Sequence, residues 1–175
     1  VCTDGYSIVS QPQHFFSPYA PLPVPYTQNF EEPFVAADGI TSNRSTPVYW
    51  WNIDGVSFGY FFQSTFGSYA HSGTSCVGHS SNSNATGSCS DWLISPVINL
   101  SGNEQMKYYI RLAYSYSDGR TPTIDVMACD VSQSDIQSMS DTSRFTLVSR
   151  IRHDDLTTDY QEAVAALADY SGPIR

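Results

Sequence analysis

The 175-residue chain predicts an all-β protein, an antiparallel β-sandwich, on three observations. Short apolar or aromatic runs recur along it, several of them alternating with period two. Clusters of Asn, Asp, Ser and Gly, the residues that close turns, separate those runs. No strand–helix–strand rhythm intervenes, so the many short strands are left to pair with one another antiparallel.

The elements follow in order. VCTDGYSIVSQPQHFF has alternating character around an Asp4-Gly5 turn. Residues 18–29 read as a Pro-rich linker, because Pro18, Pro21, Pro23 and Pro25 cannot donate to a ladder and favour extended polyproline geometry. From Phe30 onward the pattern is β. VYWWNIDG and FGYFFQSTFG are aromatic runs bounded by Gly. SGTSCVGHSSNSNATGSCS, residues 72–90, is too polar to bury a core and reads as a solvated loop. WLISPVINL is a single short apolar strand whose Pro96 marks an edge or a bulge. In MKYYIRLAY the residues Met106, Tyr108, Ile110 and Leu112 fall on one side. TIDVMACD alternates likewise, and RFTLVSRI follows. DVSQSDIQSMSD holds one short helix, capped by Asp130 or Ser132. AVAALADY has helical propensity, but among β neighbours it reads as a strand ending in a turn.

Composition and charge exclude several classes. Charged residues are 14% of the chain, against roughly 25% for an average soluble domain, and Ser, Thr, Asn and Tyr take their place. That balance suits an extracellular β-protein. The net charge is -9, and Lys107 is the sole lysine. Without a basic patch to neutralise phosphates, nucleic acid is not an expected partner. No apolar run approaches the roughly 20 residues that cross a bilayer, so no membrane insertion is expected. An acidic surface does attract divalent cations. Val1 is not a natural start, and the chain is expected to be cut from something longer, with other domains as partners. Among Cys2, Cys76, Cys89 and Cys129 there is no CxxC pair. Cys76 and Cys89 bracket the polar loop as disulfide candidates, which fits secretion; free buried thiols are the alternative.

Catalytic chemistry is not signalled. There is no GxSxG elbow, and no serine has a patterned relation to His14, His71, His79 or His153. Glu31-Glu32 and Asp154-Asp155 are adjacent pairs, which on a strand point to opposite faces. The chain is therefore expected not to be an enzyme; a hydrolase using distant, converging carboxylates is the alternative. Glu31, Asp38 and Asp91 each sit where a strand meets a loop, as hard oxygen ligands of calcium do. Trp92 reads as core. Alternation turns one of Trp50 and Trp51 outward, making the pair the candidate ligand-binding residues.

FEEPF at Phe30–Phe34, the SGTSC loop, DWLISP at Asp91–Pro96 and LADYSG at Leu167–Gly172 occur in an order that resembles the cleaved-adhesin family. That family occurs in the haemagglutinin/adhesin regions of gingipain-type proteases and in surface proteins of related bacteria, and its scaffold is similar to MAM and galactose-binding-like jelly rolls. The resemblance covers about residues 27–175. It implies a calcium-stabilised jelly roll at 30–175 that takes part in adhesion, with Glu31 and Asp91 near the metal and a second metal loop reduced to Asp38. It also implies that the family's last strands would begin where this chain stops, so that 30–175 is C-terminally incomplete. Residues 1–17 resemble the end of a fibronectin type III module. The expected function is a non-catalytic adhesion or ligand-binding module of a secreted or cell-surface bacterial protein, taking a host glycoprotein or glycan. A carbohydrate-binding module attached to a secreted hydrolase is the alternative.

Overall fold

The structure, a computed structural model, describes residues 21–31, 50–53, 59–81, 90–114, 123–131 and 142–175. Asp38, Cys2, Cys89, residues 1–17 and, of the candidate helix stretch 130–141, residues 132–141 lie outside them. Among the described residues the protein is all-β: helix is limited to two three-residue 3₁₀ turns, at Thr142–Arg144 and His153–Asp155. The strands are β1 (Leu22–Pro23), β2 (Trp51–Ile53), β3 (Gly59–Ser64), β4 (Cys76–Ser81), β5 (Trp92–Ile94), β6 (Ile98–Leu100), β7 (Gln105–Ile110), β8 (Thr123–Ala128), β9 (Thr146–Arg152), β10 (Gln161–Ala166) and β11 (Gly172–Ile174).

They form small sheets. β2 pairs with β5, β3 with β4, β7 with β10 and β8 with β9, all antiparallel. The fifth sheet has the order β1-β6-β11. The chain beyond β8 extends it: Cys129 N donates to Arg175 O (2.8 Å), Arg175 N to Cys129 O (3.0 Å) and Val131 N to Pro173 O (2.9 Å). The β8–β9 register shifts between Val126 and Met127, where Val148 is the extra residue on β9.

The core lies on this fifth sheet. Val97, Cys129 and Val131 form one buried cluster, with Phe145 packed against it. Leu100, Ala128 and Ile174 form another, covered by Val24, Ile98, Val148, Leu167 and Tyr170. β7 alternates as expected: Met106, Tyr108 and Ile110 turn inward while Gln105, Lys107 and Tyr109 are exposed. AVAALADY is strand β10 followed by a turn at 168–169.

Three expectations are corrected. The run 72–90 is not wholly loop, because its centre is β4, paired residue for residue with β3 from Ser64↔Cys76 to Gly59↔Ser81. Its Ser and Gly content hid a strand that leans on an aromatic partner. The Phe62 ring lies 2.9–3.3 Å from where a Cβ on Gly78 would stand, so the glycine admits the ring. WLISPVINL is not one strand but two in different sheets, β5 and β6, separated by Ser95-Pro96-Val97. Pro96 and Val97 are fully buried there, so the proline turns the chain inside the core rather than at an edge. Finally, the proline-dense segment does pair. Leu22 N donates to Val97 O (2.8 Å), and Leu22–Pro23 runs parallel to Ile98–Asn99. β1 lies at a sheet edge, where a residue without an N–H is tolerated.

Candidate ligand-binding surface

Glu31 enters through a tight turn. Phe30 has φ +57°, a left-handed conformation that disfavours side chains with a Cβ. Phe30 N donates to Gln28 Oε1 (2.7 Å) and Glu31 N to Asn29 Oδ1 (3.1 Å). The turn aims Glu31 at the loop before β4. Its Oε1 accepts Thr74 N (2.8 Å) and Ser75 N (3.0 Å), and its Oε2 accepts the Thr74 hydroxyl (2.6 Å). These bonds, the hydroxyl's first, hold the Glu31 carboxyl below its ordinary value. Gly73, at φ +73°, passes so close that a Cβ would strike Glu31 Oε1.

Asp91 goes elsewhere. Its Oδ2 lies 2.7 Å from His79 Nε2, with the aspartate side chain only 1% exposed, and the imidazole stands edge-on to Phe61 at 4.9 Å. The bond ties β4 to the chain entering β5. Ser75 and His79 are separated by about 13 Å of extended chain, so Glu31 holds the chain just before β4 while Asp91 holds a residue within it. No group of three His, Cys, Asp or Glu converges among the described residues. The donors around Glu31 are two N–H groups and one O–H group, which satisfy three of the carboxylate's acceptor positions. Asp38, the third of the implied calcium ligands, lies outside the described residues.

Trp50 is half-buried. Its Nε1 donates to Tyr26 Oη (3.0 Å), and its ring meets Phe30 edge-on at 5.4 Å. It pins the proline-dense segment. Trp51 pairs with Ile94 in the β2–β5 ladder. Cys76 carries a thiol that burial raises above its ordinary value, opposed by the field of Arg111.

The exposed aromatic surface lies where the β3–β4 loop crosses the ends of β7 and β10. Arg111, just past β7, organises it. Its Nη2 donates to Ser68 O (3.1 Å) and its Nη1 to Thr158 O (3.3 Å). Its guanidinium stands 4.9 Å from the centre of the Tyr160 ring and 5.7 Å from that of Tyr69, a cation–π arrangement contributing about 0.5–2 kcal/mol per contact. Tyr160 Oη donates to Tyr69 O, so the loop is held at Ser68–Tyr69 by this group and at Gly73–Ser75 by Glu31. His71 stacks on Tyr109, with centroids 3.7 Å apart and planes 7° from parallel, and meets Tyr160 edge-on at 5.1 Å. Tyr109 Oη donates to Glu162 Oε2 (3.0 Å) across the ladder; that bond, then the carboxylate's charge, raises the phenol above its ordinary value and keeps it a donor. The Tyr69 and Tyr114 hydroxyls lie 3.0 Å apart. Phe66 (70% exposed), Tyr114 (61%) and Tyr109 (49%) present their rings to solvent. Aromatic surface held open in this way is what ligand contacts are built from.

Sequence reasoning looked for such a surface at Trp50 and Trp51 and missed these tyrosines. The signal was in MKYYIRLAY: placing Met106, Tyr108 and Ile110 inward puts Lys107, Tyr109 and Arg111 outward, an exposed aromatic between two cations. Fold and surface together define an all-β protein with a braced aromatic face. No protein-family model matches the chain, and no curated protein or solved structure matches it either.

Proposed function

We propose that this chain is a non-catalytic adhesion or ligand-binding module of a larger secreted or cell-surface protein, built as an antiparallel jelly-roll sandwich of the cleaved-adhesin kind. Its ligand is a host glycoprotein or a glycan. The observation that carries this reading is the surface of three exposed rings: Phe66 on a loop clamped by Arg111 and Glu31, Tyr109 on β7 and Tyr114 just beyond it. Rigid aromatics supply contact area at low entropic cost on binding. Screening the intact chain on arrayed glycans and matrix proteins tests the reading. Capture that is lost when Phe66, Tyr109 and Tyr114 are replaced together by Ala supports it. Retention on insoluble polysaccharide alone selects a carbohydrate-binding module of a secreted hydrolase instead. Turnover of any arrayed substrate overturns the non-catalytic reading.

Calcium enters this proposal only as a stabiliser. A carboxylate has about four acceptor sites, and the loop uses three at Glu31, which leaves one for an ion. Calcium bound by the native state alone raises the unfolding temperature. A scan that is the same in calcium and in chelator removes the ion and leaves the module.

A further inference from the structure

We propose that the open face of Tyr109, with Lys107, Glu162 and Val164 beside it, is a shallow subsite for one neutral pyranose ring of a glycan; this rests on the binding-module reading. His71 covers one face of Tyr109 at 3.7 Å. The 49% exposure of Tyr109 therefore belongs to the other face and the ring edge. The ring is also fixed in plane, stacked on the imidazole and tied through its hydroxyl to Glu162 at 3.0 Å. A platform whose rotamers are already restricted loses little freedom when a ligand settles on it.

The neighbours decide the chemistry. Glu162 stands opposite Tyr109 in the β7–β10 register, and Val164 stands opposite Lys107. All four are exposed, on the outward side that alternation gives them. Lys107 Nζ and Glu162 Oε1 are 3.7 Å apart with both side chains substantially exposed, a loose pair that keeps donors and acceptors in reserve. A pyranose offers an apolar C–H face to the ring and Val164, and at its rim hydroxyls that accept from Lys107 and donate to Glu162. A purely apolar ligand would cover the ring but leave both charges without new partners. An anionic sugar would meet Lys107 but be opposed by Glu162 and by a chain of net charge -9, repulsion that a neutral ring avoids.

The test is a titration of the whole chain with neutral galactose-, glucose- and mannose-terminated oligosaccharides, with heparin as the anionic control. Lys107 is the sole lysine, so amine-selective acetylation of that side chain reports occupancy directly. One neutral series is expected to bind at about millimolar strength, with affinity insensitive to salt between about 0.05 and 0.5 M, and to slow Lys107 acetylation. Tyr109→Ala is expected to weaken it about tenfold or more. Tyr109→Phe, which keeps the stacked ring and loses the Glu162 tether, recovers most of that loss; unfolding temperatures of both variants check that the fold persists. Binding to heparin alone, weakening as salt rises, overturns the neutral-sugar inference and keeps the module. Neutral binding undiminished in Tyr109→Ala, or with Lys107 acetylated at its free rate, overturns the subsite. Capture of a matrix protein with no sugar bound overturns the glycan class. No ligand of any kind overturns both the subsite and the reading beneath it.

Discussion

Gly73 and Glu31 are one device made of two residues. The glycine supplies a left-handed turn at φ +73° and the space that the carboxylate occupies; the carboxylate orders the Thr74 and Ser75 amides. Gly73→Ala meets both a strained φ and the Glu31 oxygen, and is expected to cost about 1–2 kcal/mol in urea unfolding. Glu31→Ala should then add little in the Gly73→Ala background, because both break the same contact; full additivity would separate them. Glu104 is a second carboxylate of this type, accepting the amides of Ser101 (3.0 Å), Gly102 (2.8 Å) and Asn103 (3.0 Å). The Gly102 amide first, then that of Ser101, lowers its carboxyl from the ordinary 4.5 to about 2. A lowered folded-state value means that the unfolded chain takes the proton first. This contribution is complete above pH 4.5 and is lost as the pH falls toward about 2. Thermal unfolding across that window should fall less steeply in Glu104→Gln than in the unaltered chain. The Glu31 partnership was not legible in advance. FEE and GTS lie 43 positions apart, and local pattern carries no information about contacts at that range.

Among the elements, legibility followed periodicity. β7 alternates strongly enough to be seen in the sequence: Met106, Tyr108 and Ile110 turn inward as read, while Leu112 falls beyond the strand's end; β8 was read as alternating but runs exposed from Thr123 to Asp125 and inward from Val126 to Ala128. β4 was hidden because its stabilisation comes from across the ladder, where Phe62 covers Gly78, and not from its own apolarity. The break between β5 and β6 was hidden because Pro96 reads as an edge mark in sequence and acts as a buried turn in space. Asp91, at the mouth of β5, was read as a metal ligand from its place where a strand meets a loop and from the family resemblance. In the structure its Oδ2 lies 2.7 Å from His79 Nε2 on the β3–β4 ladder. Asp91→Ala removes an acceptor buried to 1% exposure and strands the ring nitrogen. It is expected to destabilise by about 1–3 kcal/mol in denaturant unfolding. Asp91→Asn, which keeps an acceptor oxygen, should cost less. Equal losses for the two would mean that shape rather than the hydrogen bond matters at this position.

At the scale of the molecule, stability is unevenly distributed. The sheet β1-β6-β11, extended by Cys129–Val131, carries both buried clusters. The β7–β10 ladder carries the tyrosine surface and exposes Lys107, Tyr109 and Val164 along one face. Amides open to exchange according to the burial around them, and binding surfaces tend to come from the less stable parts of a fold. The amides of Leu22, Cys129, Val131 and Arg175, bonded to carbonyls of this sheet at 2.8–3.0 Å, should therefore exchange slowest in native-state hydrogen exchange. Those of the Ser68–Gly73 loop should exchange faster, by about tenfold for each 1.4 kcal/mol of difference in opening free energy. Val97→Ala, which removes the most buried side chain of one cluster, should speed exchange at Cys129 and Val131 together and leave the loop amides unchanged. If the loop amides quicken in step with the core amides, the chain opens as one unit, and the surface around Tyr109 is no looser than the sheet that supports it.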